Sequence, residues 1–179
     1  MKTSLTYGFF MTLAGAVLTM ALYFLGFHSD VDKLHTAQNV STFGGLALGI
    51  TFIVLGIKAR RAEVPATEDF SYGRAVGAGV MVGVFAALFG VVTNFLYMQV
   101  INPGLTDLMV QAQIAKWDAA GLSSARIEQA EKMMRKMMNP ALQAVFGMIF
   151  GVIICTVISL IAAAFLKRPA TAEQPPVAA

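Results

Sequence analysis

Four long stretches of this chain contain no charged side chain and no histidine. They span residues 5–27, 40–57, 75–101 and 141–166. Each approaches or exceeds the roughly 20 apolar residues that cross the hydrocarbon core of a bilayer as a helix. In lipid only helices and closed barrels satisfy all of their backbone hydrogen bonds, so stretches of this length are expected to be helical. The sequence therefore predicts an all-α integral membrane protein with four transmembrane helices.

The basic residues are unevenly distributed around these stretches. Residues 28–39, between the first two apolar stretches, hold a single lysine, Lys33. The other flanking positions are richer in basic residues, namely Lys2, Lys58, Arg60, Arg61, Arg74, Lys167 and Arg168. Lysine and arginine near helix ends mark the cytoplasmic side of a membrane protein. We therefore expect both termini in the cytoplasm, although residues 102–139, which would lie outside, also carry five basic side chains and four acidic ones.

A methionine-rich run, "EKMMRKMMNP" at residues 131–140, interrupts the apolar pattern. With a step of 100° per residue, its methionines share an apolar arc of roughly 140° and its charged side chains lie opposite. Ser123 is a suitable N-cap, and the pairs Asn102-Pro103 and Asn139-Pro140 bracket the segment. The pattern predicts an amphipathic helical hairpin over residues 105–138, between transmembrane helices 3 and 4.

The methionine face allows three interpretations. Thioethers bind soft metals such as Cu(I), and Met133, Met134, Met137 and Met138 share one face. Methionine also forms adaptable surfaces that accept protein partners. Flanking basic residues suit a helix that lies on an anionic membrane surface or caps the bundle. We expect the surface helix, because no cysteine or histidine accompanies the methionines and the nearby positive charge disfavours a cation.

Small residues recur at every fourth position in the apolar stretches. The fourth stretch has Gly147, Gly151, Cys155, Ser159 and Ala163, and shorter ridges are Gly79–Gly83 and Gly45–Gly49. Lipid gives helices no hydrophobic reason to associate, so the close approach of small residues drives packing. The ridges predict a compact four-helix bundle, and they leave open whether packing is within one chain or between chains.

Two polar groups are further candidates for a site. His28, Asp32 and His35 would share one face if the segment were helical, and they could then hold a divalent metal such as zinc. A short polar loop is the alternative interpretation, which we favour because no fourth ligand is present. Asn94 is the strongly polar side chain inside an apolar stretch, with Tyr97 and Gln99 nearby. It either bridges helices by a hydrogen bond or lines a path for substrate or water.

The remaining features restrict the function classes. No ionisable side chain lies inside the apolar stretches, and the chain contains no nucleotide-binding, haem or hydrolase motif. We therefore predict no enzymatic activity and no cofactor, and the net charge of +3 gives no reason to expect a nucleic-acid partner. Residues 1–168 form one predicted domain. The Pro- and Ala-rich tail, residues 169–179, is expected to be disordered.

The motif "FSYGRAVGAG", a span ending in "INPG", a hairpin ending in "MMRKMMNP" and a last helix ending in "LKR" occur in this order. In this arrangement the chain resembles a family of bacterial membrane proteins known as domain of unknown function 4199, over residues 2–168. The resemblance implies a four-helix protein of the bacterial inner membrane and supplies no catalytic residue.

The expected function follows from abundant packing signals combined with an absence of chemical motifs. We expect a non-enzymatic accessory or assembly subunit that contacts the lipid bilayer and a membrane-protein partner or a second copy of itself. The alternatives are a small oligomeric transporter or channel, with Asn94, Tyr97 and Gln99 near its mouth, and a protein that binds copper or zinc.

Overall fold

The computed structural model describes residues 1–171. Of the predicted disordered tail 169–179, residues 172–179 lie outside the described part. Six α-helices follow one another along the chain: α1 Lys2–Phe24, α2 Val31–Ala62, α3 Tyr72–Leu96, α4 Leu105–Ala119, α5 Ser124–Met137 and α6 Pro140–Leu166. A π-helical turn, Tyr97–Ile101, extends α3. Residues 1–171 contain no β-strand, only one isolated bridge between Phe70 and Arg168.

Four of these helices are long and apolar enough to cross a membrane. They are α1, α2, α3 with its π-helical turn, and α6. The prediction of an all-helical chain with four apolar helices that could span a membrane is confirmed for residues 1–171. Each of the four helices contains one of the four predicted stretches or most of it.

The second helix is longer than its apolar stretch. The prediction placed it at residues 40–57 and left residues 28–39 as a polar loop, whereas α2 begins at Val31 and ends at Ala62. Asp30 explains the early start, because its side chain accepts a hydrogen bond from the backbone N–H of Asp32 and caps the helix. The first turns of α2 bury Leu34 and Ala37, which stabilises a segment in which every other side chain except Val31 is polar.

The four long helices pack around α3, which contacts α1, α2 and α6, while α2 also contacts α1 and α6. We call the half of these helices on the side of Lys2 and Leu166 the terminal half, and the half next to α4 and α5 the far half. The main core lies in the terminal half, where Ile53, Ile57 and Val82 are fully buried.

The closest crossing joins α3 and α6 in the terminal half. A methyl group at Gly79 would overlap Ser159, and one at Gly83 would overlap Cys155. Ser159 donates its hydroxyl hydrogen to the carbonyl of Cys155, one turn earlier, and so presents no unsatisfied polar group to the crossing. Small residues on both helices therefore let the two backbones approach closely.

Hydrogen bonds join the segments that follow or precede the helices at the end of the terminal half. Phe70 and Arg168 exchange two backbone hydrogen bonds, of 2.8 and 3.0 Å, and the Phe70 side chain is buried. The Arg168 guanidinium donates to the carbonyls of Val64 and Pro65. Glu63, at the end of α2, accepts hydrogen bonds from Thr3 and Arg60, which hold the pKa of its carboxyl below the usual range.

The far end is closed by α4 and overlaid by α5. Leu105 of α4 packs with Leu34 and Tyr97 in a second, smaller cluster. Helix α5 contacts α4, and Arg135 donates to Asp107 across this contact at 2.6 Å. No residue of α5 is buried.

Candidate functional site: a cleft in the far half

A cleft of about 430 Å³ lies between α1, α3 and α6 in the far half. Helix α1 contributes a stripe that includes Met11, Gly15 and Thr19, and α3 contributes one that includes Gly90 and Asn94. No residue of α2 lines the cleft, and α6 contributes only Gly151 and Cys155. The cleft is therefore a gap in the far half of the packing, bounded by small side chains.

The two ends of the cleft are closed by different structures. Toward the terminal half, Gly83 and Cys155 belong to its lining and also to the close crossing of α3 and α6. Toward the far end, Tyr97 and Ile101 of the π-helical turn line it. The cleft thus ends where the helices make contact and does not continue as a pore through the terminal half.

Most of the polar groups in the cleft are already satisfied. Thr12 donates to the carbonyls of Gly8 and Ala86, and the hydroxyls of Thr19 and Thr93 donate to carbonyls of their own helices. The Asn94 side-chain amide, in contrast, takes part in none of the side-chain hydrogen bonds within residues 1–171, and Asn94 is exposed where it borders the cleft. Asn94 is therefore the polar group in the cleft that is free to bind something else.

A second groove, of about 520 Å³, lies on the other side of Asn94. It runs between the far end of α3 and the first residues of α6. Its polar lining residues are Asn94, Gln99, Thr106, Asn139 and Gln143. Asn139 caps α6 by accepting from the backbone N–H of Ala141 at 2.9 Å, and Pro140 follows as the first helical residue. Asn94 is thus shared between an apolar cleft and a more polar groove.

A hydrogen-bonded cluster holds Tyr97 at the far end of the cleft. The Tyr97 hydroxyl bonds to Nδ1 of His28, and the Asn102 amide donates to the His28 carbonyl at 3.2 Å and to the Tyr97 hydroxyl. His28 is only 8% exposed, and burial lowers the pKa of its imidazole. With Asn102 donating to it, the Tyr97 hydroxyl is free to donate to a neutral imidazole.

The histidine candidates do not come together. His28 lies in the turn before α2, so the helical spacing that would align it with Asp32 and His35 does not apply. His35 is exposed and pairs with Asn39 on its own helix. No three His, Cys, Asp or Glu side chains within residues 1–171 lie close enough to share a metal ion.

The four methionines at the end of α5, of which Met138 is the C-cap, are also divided. Met133 and Met137 are 62% and 58% exposed. Met134 lines a pocket against α2 and α4, while Met138 lines the groove beside Asn94. Met133 and Met137 are exposed, whereas Met134 and Met138 line two separate pockets, so the structure does not gather four thioethers around one point.

The predicted glycine ridges differ in how closely other helices approach them. Gly79 and Gly83 lie at the α3–α6 crossing, and Gly49 makes ordinary contacts with Met11 and Ile158. Within the described residues, no heavy atom lies within 4 Å of a methyl group placed at Gly45, Gly147 or Gly151. On the α6 ridge, Cys155 and Ser159 therefore contact α3, whereas the positions of Gly147 and Gly151 leave room for an added side chain.

The threonines of the cleft and the His28–Tyr97 pair were not singled out from the sequence. Gly15, Ala16 and Gly90 are small residues of the lining that the sequence shows, but small residues also occur at the tight crossing and so do not by themselves indicate a gap. The His28–Tyr97 contact joins residues 69 positions apart and has no local signature.

These features define the class of the protein as an all-helical protein with four apolar helices, consistent with a multi-pass membrane protein. The family model described as "Protein of unknown function (DUF4199)" matches residues 6–168, so the chain belongs to this family and the resemblance seen in the sequence is confirmed. No curated protein and no solved structure matched the chain.

Proposed function

We propose that this protein is a non-enzymatic accessory or assembly subunit of the bacterial inner membrane. Its α1, α2, α3 and α6 form a transmembrane four-helix bundle, and α4 and α5 form an amphipathic hairpin on the outer surface. Both termini lie in the cytoplasm. The hairpin and the adjacent part of α6 form the surface that another membrane protein contacts.

The distribution of charge supports this orientation. Seven of the thirteen basic residues lie at the terminal end, in short segments next to helix ends: Lys2, Lys58, Arg60, Arg61, Arg74, Lys167 and Arg168. Short basic segments are retained on the cytoplasmic side during insertion. The basic residues of α5 are partly offset, because Lys132 pairs with Glu128 and Arg135 pairs with Glu131 and Asp107.

The observation that carries the proposal is the uncovered apolar face of α5. This helix separates methionines from charged side chains, yet it buries no residue, and Met133 and Met137 are more than half exposed. Flexible, polarisable methionine side chains suit a surface that packs against a partner. Next to α5, the first half of α6 also exposes Phe146, Phe150 and the open Gly147. A partner that covered both would bury apolar surface that this chain leaves open.

The test is native mass spectrometry of the protein extracted gently from its own membrane. A complex with a second polypeptide in fixed stoichiometry is expected for the natural sequence. The double substitution Met133→Gln and Met137→Gln is expected to release that polypeptide, because it makes the exposed face of α5 polar. Lys136→Gln is the matched control, since Lys136 lies on the charged side of the same helix and forms no ion pair among residues 1–171.

The outcomes separate the alternatives. If the control retains the partner and the methionine variant loses it, α5 is the contact surface. A bare monomer, or a partner that stays bound to the methionine variant, would overturn the proposal.

A small oligomeric transporter or channel is the second candidate, and the cleft is the observation that favours it. The cleft reaches Asn94 and Tyr97 from the far half, but it stops at the contact of Gly83 with Cys155, so a path would need a second copy or a rearrangement. Potassium and chloride flux into proteoliposomes would test it. Flux equal to that of empty vesicles, or flux that is unchanged by Asn94→Leu, would remove Asn94 from such a path.

A further inference from the structure

We propose that the far-half cleft binds an uncharged, ester-linked lipid, with one acyl chain in the cleft and the ester carbonyl at the Asn94 amide. This inference goes beyond the proposed function and does not depend on a protein partner. It rests on the shape and chemistry of the cleft, on the position of Asn94 and on the lining of the neighbouring groove.

The walls of the cleft suit a hydrocarbon chain. They consist of small and apolar side chains, with threonine hydroxyls that already donate to backbone carbonyls. An acyl chain therefore needs no hydrogen-bonding group to match these walls. A gap of this kind within a membrane-spanning segment is filled by apolar groups, because unoccupied space forfeits dispersion contacts.

Asn94 gives the cleft a specific polar contact. A side-chain amide without a partner costs free energy in lipid, since no water replaces the missing hydrogen bonds. Asn94 makes no hydrogen bond within residues 1–171, and it lines both the cleft and the groove beside it. A ligand that places a hydrogen-bond acceptor at this point would remove the cost.

The depth of Asn94 matches an ester group. The span Tyr72–Ile101 has 30 residues, or about 45 Å at 1.5 Å per residue, which equals a bilayer with its interfacial regions. Asn94 precedes Ile101 by seven residues, or about 10 Å along the axis. This places it close to the boundary of the hydrocarbon core, where the ester groups of lipids meet the chains.

The lining also indicates an uncharged headgroup. Among residues 1–171, no Lys, Arg, His, Asp or Glu side chain lines the cleft or the groove. A phosphate is normally recognised by arginine or lysine, and none lines either site. The groove instead offers the amide of Gln99 and the hydroxyl of Thr106, which bind hydroxyl and carbonyl oxygens. The other two amides are partly engaged, because the Asn139 oxygen caps α6 and the Gln143 amide donates to the Met138 carbonyl. A glycerol or sugar headgroup fits this lining better than a phosphate.

Photocrosslinking tests the proposal. The protein is placed in phosphatidylcholine nanodiscs with a small fraction of a diacylglycerol that carries a diazirine on its acyl chain, and labelled peptides are mapped after irradiation. A phosphatidylglycerol with the same chain is the anionic comparison. We expect the diacylglycerol to label residues 11–20 and 83–97 several-fold more strongly than the anionic probe does.

Two substitutions and one control decide whether the labelling reports this site. Gly90→Leu places a larger side chain in the cleft at a position where nothing lies within 4 Å of the added Cβ, and it is expected to abolish most of the labelling. Gly45→Leu places the same side chain at an equally open glycine outside the cleft and should leave labelling unchanged. Asn94→Leu is expected to weaken competition by unlabelled diacylglycerol about fivefold, because a hydrogen bond in lipid contributes about 1 kcal/mol.

Equal labelling of the natural sequence and Gly90→Leu would show only lipid that surrounds the whole protein, and it would overturn the proposal. Labelling by phosphatidylglycerol as strong as that by diacylglycerol would also overturn it. Because Gly90→Leu meets open space, the test does not depend on whether Asn94→Leu folds.

Discussion

The two halves of the helix assembly are built from the same four helices but packed in opposite ways. In the terminal half, the backbones of α3 and α6 meet at Gly79 and Gly83, and hydrogen bonds join Phe70 to Arg168. In the far half, a cleft separates α1, α3 and α6, and α6 presents Phe146, Gly147 and Phe150 to its surroundings.

The contrast is clearest along α6, where a single ridge of small residues serves both halves. Cys155 and Ser159 are pressed against α3, whereas at Gly147 and Gly151, two and one turns before Cys155, no atom of residues 1–171 lies within 4 Å of an added methyl group. A regular ridge therefore does not by itself create a close contact. The partner ridge on α3 is Gly79–Gly83, and it faces only the second part of the α6 ridge. We infer that the terminal half stabilises the fold and the far half is left open for binding.

The largest expected difference between the halves is in their response to added side-chain volume. Gly83→Leu forces a large side chain into the contact with Cys155 and is expected to lower the free energy of unfolding by about 2 kcal/mol or more. Gly147→Leu adds the same side chain at an open position of α6. It should change the free energy of unfolding by less than about 0.5 kcal/mol. Unfolding in bicelles by titration with SDS measures both values.

Equal destabilisation by the two substitutions would contradict the division into a packed and an open half. A large loss of stability for Gly147→Leu alone would show that Gly147 packs against a surface that a single chain does not contain.

A smaller effect is expected at the cluster that closes the far end of the cleft. Tyr97→Phe removes the hydroxyl that bonds to His28 and Asn102 and should lower the free energy of unfolding by about 1 kcal/mol. Because the ring remains in place against Leu34 and Leu105, the packing of this cluster is retained. A change as large as that of Gly83→Leu would mean that the far half depends on this contact more than the open cleft suggests.

The same cluster makes stability depend on pH. Burial lowers the pKa of His28 in the folded chain, so the unfolded chain binds the proton more readily. The full stability is therefore present above the ordinary histidine pKa of about 6.5 and is lost as pH falls through that value toward the lowered one. Thermal unfolding of the natural sequence and of His28→Gln, compared from pH 8 to pH 5, measures the difference. If the difference between the two thermal unfolding midpoints does not change with pH, His28 is not the group that makes stability depend on pH.

Much of the architecture was predictable because the apolar stretches carry a strong and local signal. The number of long helices follows from hydropathy alone, and the Asn139-Pro140 cap follows from local chemistry. The start of α2 was misjudged because residues 31–39 are polar in composition. Their helical state depends on the Asp30 cap and on Leu34 and Ala37, which pack against distant parts of the chain.

The cleft was much less accessible from the sequence. Asn94 stood out because a polar residue in an apolar stretch is conspicuous, but its surroundings depend on how α1, α3 and α6 are arranged around the cleft. Small residues occur equally at the tight crossing and in the open cleft, so composition does not distinguish contact from gap. The relative angle of two helices is a tertiary property that no local pattern of this sequence encodes.

The smallest expected effect concerns the attachment of α5 to the far half. Arg135 donates to Asp107 of α4 and to Glu131 of its own helix, and these hydrogen bonds raise the pKa of its guanidinium. Since the side chains of Arg135 and Asp107 are both largely exposed, the pair is screened by solvent and holds α5 only weakly. Arg135→Gln should therefore speed amide hydrogen exchange in α5 and leave the four long helices unchanged.

Arg126→Gln, on the same helix and without an ion pair among residues 1–171, is the control. High salt should reproduce the effect of Arg135→Gln in the natural sequence. Exchange in α5 that responds to neither would mean that its methionines, and not this ion pair, keep the helix in place.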